Sequence, residues 1–134
     1  MTTTVQKVAM VFGVVFLLLA ILGFIAPGGM VMAPDAGAGM LLGMFPINLL
    51  HNVVHLIFGI WGLAASRSFS GAKSYAQIGG VIYIVLAVCG WLKPDGFGLV
   101  PLGSNDVWLH AVLGIVLAAV GFTAKAETVT TTGA

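Results

Sequence analysis

An all-α membrane protein of four transmembrane helices, arranged as two parallel helical-hairpin repeats, is the fold that this sequence predicts. Three observations predict it: a composition too apolar for water, four runs long enough to cross a bilayer, and a spanning part that is written twice. The 134 residues are 60% hydrophobic and carry five basic and four acidic side chains, whereas soluble domains are roughly 25% charged. The apolar runs fall at about 8–26, 47–66, 75–92 and 107–123, each near the ~20 helical residues that cross a ~30 Å hydrocarbon core. No segment shows the period-2 alternation of a barrel strand, so the runs read as helices.

The first run, 8–26, follows Lys7 and precedes Ala36-Gly37-Ala38, a pattern that a secretory signal also shows. The run is longer than the 7–15 apolar residues of a signal core, and its repeat partner at 75–92 lies mid-chain. It reads as a retained helix. A shift of 67 positions lays Gly13-Val14-Val15-Phe16 on Gly80-Val81-Ile82-Tyr83, with Ala9 on Ala76, Ala20 on Ala87, Gly23 on Gly90 and Pro27 on Pro94. A shift of 55 lays Pro46 on Pro101, His55 on His110, Gly59 on Gly114 and Ile60 on Ile115. The offset drops because the loop inside the first copy is longer. The chain therefore reads as one domain, 1–134, with repeat 1 at about 7–66 and repeat 2 at about 74–123. Each copy crosses twice, so both enter in the same orientation, related by a pseudo-two-fold axis along the membrane normal.

Between the spans, the link Ser66 to Ser74 is rich in Ser and Gly and reads as a turn. The first outer loop, Gly28 to Phe45, holds five glycines, Pro34 and the methionines Met30, Met32, Met40 and Met44. Thioethers suit Cu(I), but flexible methionine also fills gaps in an apolar loop at an interface. The tail Thr128 to Thr132 reads as a polar end. Lys7, Arg67, Lys73 and Lys125 fall on one side of four crossings, opposite Asp35, Lys93, Asp95 and Asp106. The positive-inside rule then makes both termini cytoplasmic, with Phe45, Trp91, Phe97 and Trp108 near the other surface. Cys89 has no partner for a disulfide. Small residues at four-residue spacing (Ala9/Gly13, Gly62/Ser66, Ala76/Gly80, Gly114/Ala118) mark where backbones approach closely.

The polar residues that could carry chemistry gather at the outer ends of spans two and four. His51 and His55 are four apart and share a helical face, as do Asp106 and His110. His110 takes the place of His55 in the second copy, and Asp106 the place of His51. Asn48, Asn52, Ser104 and Asn105 surround them. Three readings stay open. The histidines join the hairpins through hydrogen bonds, since polar groups left unpaired in lipid are costly. They bind a metal, with His51, His55, His110 and Asp106 as ligands or Asp106 orienting His110. Or His55 and His110 ligate a haem iron, or one of them a chlorophyll magnesium, between facing helices. Proton or ion movement would need a polar path continuing inward, where only Gln77, Tyr83 and Thr123 are offered. There is no glycine-rich phosphate loop, nucleophile elbow or paired carboxylates, and too few basic residues for nucleic acid.

The stretch Phe45-Pro46-Ile47-Asn48-Leu49-Leu50-His51-Asn52-Val53-Val54-His55, running on to Gly59 and Gly62, resembles the signature of a bacterial family of small four-helix integral membrane proteins. So does Gly98 to Leu102, leading into Asn105-Asp106-Val107-Trp108-Leu109-His110 and Gly114. That family is catalogued only as a domain of unknown function, and the likeness covers about 7–123. It implies a multi-pass protein of the bacterial cytoplasmic (inner) membrane and supplies no activity or cofactor. The function expected is non-enzymatic: a structural or accessory element in the bilayer, with other membrane subunits or a second copy as candidate partners. The alternative is a haem-, chlorophyll- or metal-binding protein using His55 and His110.

Overall fold

A computed structural model describes residues 2–32 and 39–126 of the chain. Asp35, the Ala36-Gly37-Ala38 stretch and the Thr128–Thr132 tail lie outside the described residues. Four helices dominate: α1 Thr4–Ile25, α2 Leu49–Ala65, α3 Phe69–Leu92 and α4 Asn105–Thr123. Two three-residue strands, β1 Gly39–Leu41 and β2 Phe45–Ile47, precede α2, and a 3₁₀ turn at Gly96–Gly98 precedes α4. Three helices, α1, α3 and α4, are long and apolar enough to cross a membrane; α2, with 17 residues, is shorter.

Local chemistry sets these boundaries. Thr3 opens α1, its backbone N–H donating to the Gln6 side chain at 3.1 Å, half of a capping box. Asn48 caps α2 by accepting from the His51 backbone N–H at 2.9 Å. Ser68 caps α3 through Gly71 at 3.1 Å. That cap starts α3 six residues before the apolar run begins, so the middle link is only Ser66 to Ser68. Pro27 stops α1 because it cannot continue the hydrogen-bond ladder.

The β-hairpin was not expected from the sequence. β1 and β2 pair antiparallel with Met40 opposite Pro46. Between them Leu42 and Gly43 both take positive φ, 54° and 68°, and Met44 N–H closes the turn on Leu41 C=O at 3.0 Å. Positive φ at both central positions is the geometry of tight hairpin turns. Strands of three residues, one containing a proline, are too short to show a period.

Each helix packs on its neighbour in the chain through small residues. A Cβ at Gly13 would lie 2.7 Å from the Leu63 nitrogen, and one at Gly62 2.9 Å from the Gly13 Cα. In the second hairpin a Cβ at Gly80 would collide with the Ala118 backbone, and one at Gly114 would sit 2.7 Å from the Ile84 nitrogen. The small faces are thus occupied within the chain.

The buried residues of α1 are Val5, Ala9, Gly13, Phe16, Ala20 and Gly23. Moved on by 67 positions, all of them land on buried residues of α3: Ala72, Ala76, Gly80, Tyr83, Ala87 and Gly90. Where the hairpins meet, Phe16 stacks on Tyr83 at 5.3 Å, and Phe58 stands edge-on to both. Large apolar side chains such as Val11, Leu18, Ile21, Val85 and Ile115 point outward and are exposed.

The two ends of the molecule are tied differently. At the end holding the α1 N-terminus, the Gln6 side chain donates to Ser66 C=O at 3.1 Å and Lys73 to Ala124 C=O at 3.0 Å. Lys7, Arg67, Lys73 and Lys125 are all at that end. At the other end asparagines hold the loops: Asn48 donates to Leu99 C=O at 2.8 Å, Asn52 to Gly29 C=O at 2.9 Å and Asn105 to Met44 C=O at 3.0 Å. The first and third of these cross from one hairpin to the loop of the other.

Candidate metal centre

The polar residues converge beneath those loops. The Asn48 cap places the first turn of α2 so that His51 and His55, one turn apart, face inward; their rings are 4.5 Å apart. From α4, His110 comes to 6.1 Å from the His51 ring. One nitrogen from each of the three imidazoles lies within 4.8 Å of the others. Asp106 approaches from the same helix face as His110, its Oδ2 3.8 Å from His51 Nδ1. The carboxylate therefore faces His51 across the hairpin boundary; the sequence reading had offered it to His110.

Burial makes this arrangement costly as it stands. His51, His55, Asp106 and His110 are each at most 8% exposed. Yet Nδ1 of all three histidines and Oδ2 of Asp106 have no hydrogen-bond partner. A buried polar atom left unsatisfied costs about 1–3 kcal/mol, and buried groups in folded proteins are nearly always paired. The His55 ring stacks on Phe16 at 5.6 Å, a contact that leaves its Nδ1 unpaired.

Tyr83 is the residue the sequence misplaced. The sequence groups it with the inner half, but its ring lies 5.3 Å from that of His110, and its hydroxyl is buried and unpartnered. The signal was present in the repeat: Tyr83 replaces Phe16, so one hydroxyl was added to the middle of a stacked aromatic pair. Tyr75, also buried with an unpartnered hydroxyl, lies two helical turns away toward the basic end. Met30, Met32, Met40 and Met44 are all exposed.

A metal ion fits this donor set better than a macrocycle does. Zinc–imidazole bonds of ~2.0–2.1 Å put tetrahedral nitrogens ~3.3 Å apart, which each ring reaches by moving about 1 Å from the 4.8 Å spacing. Three imidazoles with a nearby carboxylate suit zinc or another first-row divalent ion. A porphyrin or chlorin placed between His55 and His110 needs far more room. The cavities touching these histidines measure about 230 and 50 Å³, below the ~300–1,000 Å³ that drug-sized ligands occupy. Neither cavity encloses a haem or a chlorophyll.

Helices apolar enough for a membrane, with a histidine-rich polar cluster buried at one end, define the class of the protein. Its chain belongs to the family described as "Domain of unknown function (DUF4383)", whose model matches residues 6–123. No curated protein and no solved structure matches it.

Proposed function

We propose that the protein is a four-span, non-enzymatic element of a bacterial cytoplasmic membrane, whose two hairpins are clasped by a divalent transition-metal ion on His51, His55 and His110. Asp106 either completes the coordination or orients His51 from outside it. One observation carries the metal: three buried imidazoles from two hairpins bring one nitrogen each within 4.8 Å of the others. A metal bound by one nitrogen of each ring would join α2 to α4.

Other features support the rest of the reading. The matching buried positions of α1 and α3, and the stacking of Phe16 on its counterpart Tyr83, favour two parallel repeats about a pseudo-two-fold axis. The basic residues gathered at the end that holds residues 2 and 126 favour a cytoplasmic location for that end. With 17 residues, α2 lies at the short limit for a span; the β-hairpin at its start extends the path of the chain. Outward-facing large apolar side chains suit lipid. The glycine faces are used inside the chain, so another membrane subunit or a second copy would have to pack on bulky residues.

The test is metal analysis of protein extracted in mild detergent without chelators. About one equivalent of metal per chain is expected, lost on replacing any one of His51, His55 and His110 by Ala. A cobalt-substituted sample should show the d–d bands of nitrogen ligation. A wild-type protein that holds no metal, and takes up none on titration, would sink the metal and leave a second reading. In that reading the His51–Asp106 contact at 3.8 Å is a purely polar clasp between the hairpins.

A further inference from the structure

The basic end of the molecule holds a cavity of about 250 Å³ between the start of α1 and the end of α4. Thr3, Thr4, Thr123 and Lys125 give it polar walls, with Phe69 and Val120 beside them. Two of the hydroxyls are already used: Thr3 donates to Gln6 Oε1 at 3.0 Å and Thr123 to Ala119 C=O at 2.6 Å. Thr4 and Lys125 are exposed. Lys73 stands at the wall, its ammonium donating at 3.0 Å to the C=O of Ala124, another lining residue. The same ammonium lies 5.9 Å over the Phe69 ring. An ammonium has three N–H donors, so two remain on Lys73. Among the described residues the acids are Asp95 and Asp106, both at the opposite end; Glu127 lies outside the described residues.

Charge, size and position narrow the occupant. Two ammoniums and a hydroxyl, with no described carboxylate beside them, suit an anion rich in acceptor oxygens. The volume is below what a drug-sized ligand fills, so it takes a head group and not a whole lipid. On the helix faces that lead from Thr4 and Val120 toward the opposite end, Val11, Val15 and Val116 are exposed. They give an acyl chain a surface to lie on. We propose that this pocket holds the phosphodiester head group of an anionic phospholipid, with Lys73, Lys125 and Thr4 on its oxygens and a chain along α1 and α4. Basic pockets between membrane helices take such head groups. A zwitterionic head group would bring its own ammonium against two lysines, so phosphatidylglycerol is favoured over phosphatidylcholine. The proposal rests on the chain spanning a bilayer and is independent of the metal.

The experiment is native mass spectrometry of the detergent-solubilised chain, titrated with phosphatidylglycerol or with phosphatidylcholine of the same acyl chains. One phosphatidylglycerol per chain should bind roughly 20- to 30-fold more tightly than phosphatidylcholine, at about fivefold for each lysine. Lys73→Gln and Lys125→Gln should each reduce that preference about fivefold, and Lys125→Arg should keep it. Arg67→Gln removes an exposed charge at the same end, away from the lining residues, and should leave the preference unchanged. Far-UV circular dichroism equal to that of the wild type reports that each variant folds. Lys125 is exposed and lies beyond the end of α4, so its replacement carries the test even if Lys73→Gln unfolds. Glycerol phosphate at matched concentration should not displace the lipid. The proposal is overturned if both lipids bind alike, or if Arg67→Gln weakens binding as much as Lys125→Gln, the mark of diffuse surface attraction. It is also overturned if glycerol phosphate competes equally, which would make the occupant a free phosphate. Failure of the wild-type chain to enter lipid vesicles would overturn the membrane reading as well; entry without lipid preference overturns the pocket alone.

Discussion

The hairpin α1–α2 and the hairpin α3–α4 bury the same positions for different purposes. Along α1 and α3 the small residues correspond one for one, because both helices must approach a partner closely. At the loop end the correspondence breaks. His51 faces its counterpart Asp106, Phe16 stacks on its counterpart Tyr83, and Asn52 has Val107 in its place. The first loop is a β-hairpin and the second a 3₁₀ turn. Packing constrains both hairpins alike, since backbone contact leaves no room for variation. The polar end differs between the hairpins, and that makes the site composite: two imidazoles come from one hairpin, and an imidazole, a carboxylate and a phenol from the other.

Removing imidazoles should break the comparison most severely. His51→Ala, His55→Ala and His110→Ala should each lower metal affinity more than 100-fold, whichever hairpin supplies the residue. Asp106→Asn should cost only about 10–100-fold if the carboxylate supports His51 from outside the coordination. Competition titration with a chromophoric chelator measures both. An Asp106 variant as damaged as the histidine variants would make the carboxylate a ligand.

The packing half of the comparison is tested at glycines. Gly13→Ala and Gly80→Ala put a methyl against backbone in equivalent places and should each destabilise by about 1–3 kcal/mol. Gly79→Ala is the control: its Cβ would make ordinary contacts at 3.5 Å with Leu117 and Phe58, and alanine favours a helix by up to ~1 kcal/mol. Unfolding in mixed micelles should rank Gly79→Ala at or above wild type. If Gly13→Ala is tolerated while Gly80→Ala is not, the two hairpins do not pack alike.

The aromatic pair gives a smaller effect of opposite signs. Tyr83→Phe should stabilise the protein by about 1 kcal/mol, because it removes an orphaned hydroxyl. Phe16→Tyr adds one and should destabilise it by a similar amount. The same unfolding assay reads both. Equal and negligible effects would mean that the hydroxyl finds a partner in the membrane.

The asparagines should give the smallest differences. Interhelical hydrogen bonds in membranes average about 0.6 kcal/mol, so Asn105→Ala should be barely measurable. Asn48→Ala also loses the cap on α2 and should cost about 1 kcal/mol more. Equal losses would show that the cap contributes nothing here.

Much of this was legible from residue types alone. Four helices follow from runs of apolar residues, since backbone polar groups in an apolar setting are satisfied within a helix. The inward faces follow from small residues recurring at a shift of 67, and the correspondence of His55 and His110 from a shift of 55. What the linear pattern could not carry were relations between elements. The β-hairpin depends on two positive-φ residues, one of them Leu42, a residue type with no preference for that conformation. The pairing of Asp106 with His51, not with His110 one turn away, depends on how α4 is rotated against α2. Tyr83 was read by its depth in the sequence, while its neighbour was decided by the crossing of α3 over α4.

Composition and periodicity by themselves determined that this chain forms helices apolar enough for a membrane, which positions turn inward, and which polar residues share a helical face. Those are properties of one helix at a time, governed by local hydrogen bonding and by the burial of small side chains. Only the tertiary structure decided that three imidazoles meet, that the Asp106 carboxylate stands beside His51, and that a cavity lies next to Tyr83. Those outcomes depend on the rotation and offset between two hairpins. Shifts of about 1 Å there move a side chain into or out of coordinating distance, and no spacing along the chain encodes them.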